Sequence, residues 1–414
     1  MKASLLLIFL FSATLAEYTS YEGYVVYSIT PKSPRDSAIL QDIHDSGKFD
    51  FWSKSKAVNH PVHIMVSPDL KETFVSTVEK YNMDYKVLIE DVEKVNTAER
   101  ERQARAPRVA NGRIDFQQYH DYQTILEYVE QVCTDYPDIV TCETYGYSYE
   151  GRPLVLLRIN DGSTAGKPTI FIEGGIHARE WIAPAVVLYI IQQLVENPDN
   201  RALVDNANWL VIASTNPDGY EFSRTNTRMW RKTRSTGVIC NGADANRNFD
   251  LEWGGPGAST SECTDFFMGR YAFSEPETRA LADLAIAEGS IDLYLAIHSY
   301  GPLIIYPWAY TFEDAENVDE LHEAGLAAAA AIQAVAGTEY TVGNSAAIMY
   351  FAAGCSDDWF KGGANVSLSY TIELPGGEEQ GYDLPPDRIQ PVVTETWPGI
   401  VAFYDYVLSN YRRS

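Results

Sequence analysis

Tyr24-Val25-Val26-Tyr27-Ser28-Ile29 alternates with the period of a half-buried strand, and the pattern changes period repeatedly from there on. Residues 38–44 follow with helical spacing, and Val62-His63-Ile64-Met65-Val66 forms a second strand. Leu70, Phe74, Val78 and Tyr81 place one apolar stripe on a helix over 70–81, and a further strand is predicted at 85–89. This alternation suits a split βαβ sandwich, a small α+β ferredoxin-like domain over residues 17–108. Beyond about residue 114 the pattern becomes one of buried strands alternating with long helices, the mark of an α/β layered fold. Apolar or β-branched runs fall at 154–159, 168–173, 209–213, 293–297 and 369–372, and helices at 181–196, 275–287, 318–336 and 392–410. The second unit is taken as 109–414.

The first residues belong to neither unit. Met1-Lys2 precedes the apolar run Leu5-Leu6-Leu7-Ile8-Phe9-Leu10-Phe11, followed by Ala13, Leu15 and Ala16. A basic start, a short apolar core and small residues at its end predict a secretory signal over 1–16. The run falls short of the roughly 20 apolar residues that a bilayer span needs, and no later segment approaches it. A secreted, extracellular protein with no membrane partner is therefore expected. Charge then separates the two units: residues 17–108 carry 13 Lys+Arg and 15 Asp+Glu, whereas residues 109–414 carry 18 and 42. Such an acidic surface repels phosphate backbones and argues against nucleic acid as a partner. It serves solubility, and secondarily draws cationic peptides.

Between the units, residues 99–108 read as a charged helix running into an exposed basic stretch. Arg100, Arg102, Arg105, Arg108 and Arg113 make this a candidate activation region for a trypsin-like protease, because exposed loops are where chains are nicked. Five cysteines in an oxidising compartment imply disulfides with one thiol left over. Cys240 and Cys263 bracket a Gly/Ser-rich loop and Cys133 and Cys142 a short one; these are the favoured pairs. Cys355 is then a buried small apolar residue rather than a reactive group. Asn365-Val366-Ser367 is a glycosylation sequon close to a strand start.

Three apolar runs end in a polar residue and a turn: Ile172 before Glu173-Gly174-Gly175-Ile176-His177, Ile297 before His298, and Ile372 before Glu373. Open α/β sheets bind ligands beyond the carboxyl ends of their strands, so these segments are expected to converge. His177 and Glu180, three residues apart in His177-Ala178-Arg179-Glu180, can both reach one metal ion, and His298 offers a third donor. Two histidines and a glutamate with a fourth position open form the ligand set of a catalytic zinc. His44, His60, His63, His120 and His322 have no comparable context and are expected to be surface or packing residues.

The stretches around His177, Asn216-Pro217-Asp218-Gly219, Arg228-Met229-Trp230-Arg231-Lys232-Thr233-Arg234, Asp244-Ala245-Asn246-Arg247-Asn248, His298-Ser299-Tyr300 and Tyr370-Thr371-Ile372-Glu373-Leu374 resemble the funnelin-type zinc metallocarboxypeptidases of the digestive A/B subfamily. Carboxypeptidase A is itself a standard example of the His2Glu ligand set. The resemblance covers 109–414, and the N-terminal unit is similar to that subfamily's inhibitory propeptide. It implies a three-layer α/β/α fold around a mixed, mainly parallel eight-stranded sheet. It further implies one Zn2+ per catalytic domain, held by His177, Glu180 and His298, with Glu373 as the carboxylate that takes the proton of the attacking water.

By the same resemblance Arg231 is the electrophile beside the scissile carbonyl. Asn246 and Arg247 grip the substrate's C-terminal carboxylate, Tyr350 closes over the bound residue, and Arg179 and Arg228 are accessory cleft residues. Arginine's planar fork suits a carboxylate, which an exopeptidase must recognise. Asp357 falls at the base of the pocket for the terminal side chain, where an aspartate accompanies B-type enzymes that remove lysine or arginine. A desolvated, unpartnered carboxylate disfavours an apolar occupant. Cys355 and Ala309 depart from the small and small polar residues expected beside it. The implied protein is a secreted zymogen, expected to be monomeric and to act in a digestive lumen. Its implied partners are peptides and proteins with a free C-terminus, an activating trypsin-like protease and proteinaceous carboxypeptidase inhibitors. The alternatives are A-type or broad specificity, and a catalytically inactive peptide-binding protein that keeps the fold.

Overall fold

The computed structural model describes residues 18–52, 58–106, 109–110, 112–377 and 381–411. The expected signal over 1–16 and Arg108 lie outside the described residues. The N-terminal unit runs β1 (Val25–Ile29), α1 (Pro34–Asp45), β2 (Asp50–Phe51), β3 (Val62–Val66), α2 (Lys71–Lys80), β4 (Tyr85–Ile89) and α3 (Val92–Arg105). Its sheet has the order β2-β3-β1-β4 with every pairing antiparallel, the split βαβ arrangement. Ser33 accepts from the Asp36 N–H at the start of α1, and Asp91 does the same from Glu93 N at α3, which fixes where these helices begin. Val25, Tyr27, Ile29, Leu40, Ile64, Phe74 and Val78 form its core.

The C-terminal unit is built on one eight-stranded sheet in the order β11-β10-β12-β9-β7-β8-β6-β5. Its strands are β5 (Val140–Tyr147), β6 (Pro153–Ile159), β7 (Thr169–Gly174), β8 (Asn208–Ile212), β9 (Leu293–Ser299), β10 (Leu303–Tyr306), β11 (Thr341–Asn344) and β12 (Leu368–Leu374). Four of the seven pairings are parallel, including the central run β12-β9-β7-β8. The helices are α4 (Tyr122–Asp135), α5 (Ile182–Val195), α6 (Arg201–Asn206), α7 (Pro217–Thr225), α8 (Pro276–Glu288), α9 (Val318–Ala336), α10 (Ser345–Ile348), α11 (Ser356–Gly362) and α12 (Ile389–Tyr411).

Alternation along the central strands divides the core in two. Ile170, Ile172, Leu293, Leu295, Ile297, Tyr370 and Ile372 point to the face covered by α5, α9 and α12, while Phe171, Tyr294 and Ala296 point to the face covered by α8 and α11. All seven residues of β9 and of β12 are buried, which is why these strands read as unbroken apolar runs. Cys133–Cys142 and Cys240–Cys263 are disulfides, and Cys355 is a buried free thiol. No helix of the described residues is long and apolar enough to cross a membrane.

The activation region begins as the expected charged helix, and its basic end at Arg108 lies outside the described residues. α3 begins at Val92 and holds Arg100, Arg102 and Arg105, each paired with an acid of the same helix: Glu93, Glu99 and Glu101. A helical backbone does not offer the extended strand a protease binds, so these arginines are protected while α3 stays folded. Arg113 lies past the helix in a turn, its N–H bonded to Ala110 O.

Candidate active site

The site forms where three of the parallel strands end. β7 stops at Gly174, and Gly175 turns the chain with φ +71°, a conformation L side chains rarely adopt. His177 and Glu180 follow in the short loop before α5. His298 and Glu373 come from neighbouring parallel strands and stand directly opposite each other in the register of β9 and β12. His177 Nδ1 lies 2.9 Å from Glu180 Oε1, His298 Nδ1 lies 3.0 Å from Glu180 Oε2, and the two Nδ1 atoms are 3.1 Å apart. Ligand atoms around a tetrahedral zinc lie roughly 3.3 Å apart. Three buried N and O donors crowded to this spacing, two of them imidazole nitrogens facing each other, fit a zinc ion between them.

Asp244 supports this cluster, and its role could not be read in advance. One oxygen lies 3.2 Å from His177 Nε2, which leaves Nδ1 to face the cluster. The other accepts from Arg231 Nε and Nη2 at 3.0 and 2.9 Å. Burial alone would raise the Asp244 pKa, but Arg231, Arg247 and His177 hold it well below the usual carboxylate range. Burial, with Arg231 adding to it, lowers the His177 pKa to about 4, so the ring is neutral and able to ligate at neutral pH. The only hint in the sequence was the position of Asp244 at the head of Asp244-Ala245-Asn246-Arg247.

A pocket opens beside the cluster, lined by His177, Arg231, Asn246, Arg247, Tyr350, Asp357 and Glu373 among others. Asn246 Oδ1 accepts from Ser356 N at 2.8 Å, and Arg247 donates to Gly257 O and Asn246 O at 3.0 and 2.7 Å, so both side chains are held in place. Arg231 Nη1 is buried and makes no hydrogen bond among the described residues. Asp357 opens the first turn of α11 and is 3% exposed; no cationic side chain of the described residues lies within ion-pair distance of it. Cys355, Ala309, Ile305 and Met349 complete the apolar part of the wall. Burial pushes the Cys355 thiol pKa well up, which keeps it protonated.

Arg179 and Arg228 are not among the residues lining this pocket. Arg228 is a brace: it donates to Arg179 O and Tyr382 O, pairs with Asp383 at 2.6 Å and lies 3.6 Å over the Trp181 ring. Arg179, 1% exposed, is taken by the N-terminal unit. Asp50 of β2 grips its guanidinium with two bonds of 2.9 and 3.1 Å. Trp52 is fully buried beside Tyr382, whose hydroxyl donates to Trp52 O at 3.0 Å. His44 stacks on Tyr350 at 4.6 Å, and His63 Nδ1 lies 3.0 Å from the Tyr300 hydroxyl. These two histidines are packing residues, as expected, but what they pack is the interface between the units.

A site at the end of a layered sheet, covered by a separate unit, has the form of a peptidase precursor. Residues 125–399 match the family described as zinc carboxypeptidase, and residues 27–99 match the carboxypeptidase activation peptide. The chain belongs to the zinc carboxypeptidase family, carries that family's activation peptide, and uses one Zn2+. Carboxypeptidase B of Helicoverpa zea is 36% identical over 416 residues, 96% of each chain. Carboxypeptidase B of Astacus astacus is 42% identical over 303 residues, 72% of this chain and 100% of its own. The structure of carboxypeptidase A from Helicoverpa armigera superposes with a TM-score of 0.89 at 31% identity, covering 94% of this chain and 98% of that one. Relatives named A and B both match, so similarity alone does not assign the preferred terminal residue.

Proposed function

We propose that this chain is a secreted zymogen, with its signal over 1–16, its propeptide over 17–108 and its catalytic domain over 109–414. Once cut by a trypsin-like protease, it would remove C-terminal lysine or arginine from peptides. The carrying observation is Asp357, a buried carboxylate with no cationic side chain of the described residues within ion-pair distance, in a pocket also lined by Asn246 and Arg247. Burying a carboxylate alone is costly, and a substrate ammonium or guanidinium supplies the missing charge.

The geometry supports the remaining roles that the resemblance implies. His177, Glu180 and His298 hold the metal, which when bound supplies a Lewis acid and lowers the pKa of water toward about 7. Glu373, opposite His298 on the next strand, takes the proton from water and delivers it to the departing amine. Arg231, anchored by Asp244, keeps Nη1 for the carbonyl oxygen as negative charge develops there. Arg247 and Asn246 receive the terminal carboxylate, and Tyr350 swings from its stack on His44 to close the pocket.

A-type specificity is the second reading, and Ile305, Met349 and Ala309 in the wall are what favour it. Kinetics of the trypsin-activated protein on matched peptides ending in arginine, lysine, phenylalanine or leucine decide between them. The expected result is that the basic pair leads and that Asp357→Ala lowers kcat/KM for arginine by about 100-fold, the loss expected when one partner of a buried charge pair is removed. Preference for phenylalanine and leucine sinks the B-type assignment. An inactive peptide-binding protein would lack a ligand or the base, and His177, Glu180, His298 and Glu373 are all in place.

A further inference from the structure

We infer that Asp265 is a specificity-determining residue of the cleft upstream of the scissile bond, governing which residues are tolerated before the one removed. The inference rests on the peptidase reading above and extends it to a second part of the cleft.

Asp265 Oδ2 lies 3.2 Å from Arg179 Nη1, so in the zymogen one guanidinium serves two carboxylates, Asp50 and Asp265. Arg179 cannot move to escape either: it is 1% exposed, donates to Met229 O at 3.3 Å and lies 4.5 Å over the Tyr382 ring. Asp265 is 34% exposed and lines a cleft between the propeptide and the catalytic unit, together with Asp50, Met229 and Phe266. Phe266, the next residue, lies 5.7 Å from the guanidinium carbons of both Arg231 and Arg247. Asp265 therefore borders the row of reacting arginines but stands outside the terminal pocket.

When the propeptide leaves, Asp50 leaves with it, and Asp265 becomes the carboxylate paired with Arg179. The other nearby cations are already committed, Arg231 to Asp244 and Lys232 Nζ to Glu262 O at 2.6 Å. A substrate chain entering the cleft must run where Asp50 and Trp52 ran. An acidic side chain on that path meets a neutralised arginine and a like charge at the rim, whereas a neutral or basic one does not. Without the Asp265 charge, Arg179 would face the substrate uncompensated and would accept an acidic residue as it accepts Asp50.

The test uses the trypsin-activated enzyme and arginine-ended peptides that differ in one residue, Glu, Ala or Lys, at the penultimate position or the one before it. Asp265→Asn should shift the Lys-to-Glu ratio of kcat/KM toward Glu by roughly fivefold at one of these positions, the size of a half-exposed ion pair. The shift should appear in KM, with kcat for the Ala peptides unchanged, and Asp265→Glu should restore the ratio. An unchanged ratio at both positions, or an equal loss on every peptide, overturns the inference. The unaltered enzyme gives a check without any variant: added salt should move the ratio in the same direction, and a salt-independent ratio counts against Asp265. Failure to cleave any arginine-ended peptide would reject the B-type assignment instead, and the same series ending in phenylalanine then tests Asp265 separately.

Discussion

Asp50→Ala removes the charged side chain that, among the described residues, the propeptide places on the cleft arginine Arg179. The pair is bidentate and well shielded, with side chains 1% and 18% exposed. Removing one partner of a buried ion pair costs about 3–5 kcal/mol, chiefly because the other charge is stranded. Here Asp265 stays within 3.2 Å of the same guanidinium, so Arg179 is not stranded and the cost falls to about 2 kcal/mol. Trp52, the Tyr382-to-Trp52 bond and the His63–Tyr300 contact all remain, so the propeptide still docks. A loss of about 2 kcal/mol raises the undocked fraction about 30-fold. The assay is hydrolysis of a short arginine-ended peptide by the uncut zymogen, with a serine-protease inhibitor present and chain integrity checked on a gel. Intrinsic activity should rise by that factor, while Asp50→Asn, which keeps an acceptor for the Trp52 indole N–H, should rise less. If Asp50→Ala zymogen of normal circular dichroism stays within a factor of two of the parent, the Asp50–Arg179 pair does not contribute to latency.

Glu373→Gln should leave zinc content at one per chain by atomic absorption and lower kcat by at least about 100-fold, the contribution of a positioned general base; retained turnover would remove Glu373 from that role. The zymogen should also weaken in mild acid through His63, whose pKa burial, with a smaller push from Lys86, lowers to about 4. The sign follows from protons bound. The unfolded chain, with an ordinary histidine near 6.5, takes up more protons than the folded one as pH falls below that value. The stability that neutral His63 contributes is thus intact above pH 6.5 and is lost progressively toward pH 4, by up to about 2 kcal/mol at pH 5. Denaturant midpoints of parent and His63→Gln zymogen between pH 7 and 5 measure it, and parallel pH profiles would refute it.

How much of this was legible in the chain depends on what each residue answers to. β9 and β12 are covered on both faces, so their apolar runs announced them, and with them His298 and Glu373 at adjacent strand ends. β5 is not legible in the chain because it is an edge strand with mostly exposed or half-exposed side chains, so neither face imposes an apolar pattern. β10 and β11 are four residues each and β2 two, too short for a period to show. α4 does carry a signal: Tyr122, Ile125, Val129 and Val132 are buried at helical spacing, behind Asp121, which caps the helix by accepting from Thr124 N. Asp244, Asp50 and Asp265 belong to another class. Their roles come from arginines and a histidine that the fold brings to them from distant segments, and no local spacing encodes such a meeting.

The way the propeptide covers the cleft bears on what activation has to accomplish. Every residue lining the terminal pocket belongs to the catalytic unit, and the metal cluster, Arg231 and Asn246 are already held by partners within that unit. The propeptide meets that pocket through Tyr350 and otherwise touches the cleft outside it, at Arg179, Tyr300 and Tyr382. It covers the cleft beside the pocket and packs on Tyr350, but it leaves the metal cluster and Arg231 assembled. Latency of this kind is competition for the cleft rather than distortion of the site. Cutting the connection therefore has only to lower the effective concentration of the propeptide, because a tethered plug rebinds faster than a substrate arrives and a severed one does not. On that account the same contacts that hold the zymogen silent set how quickly it becomes active, and the Asp50–Arg179 pair is the charged contact through which the two are linked.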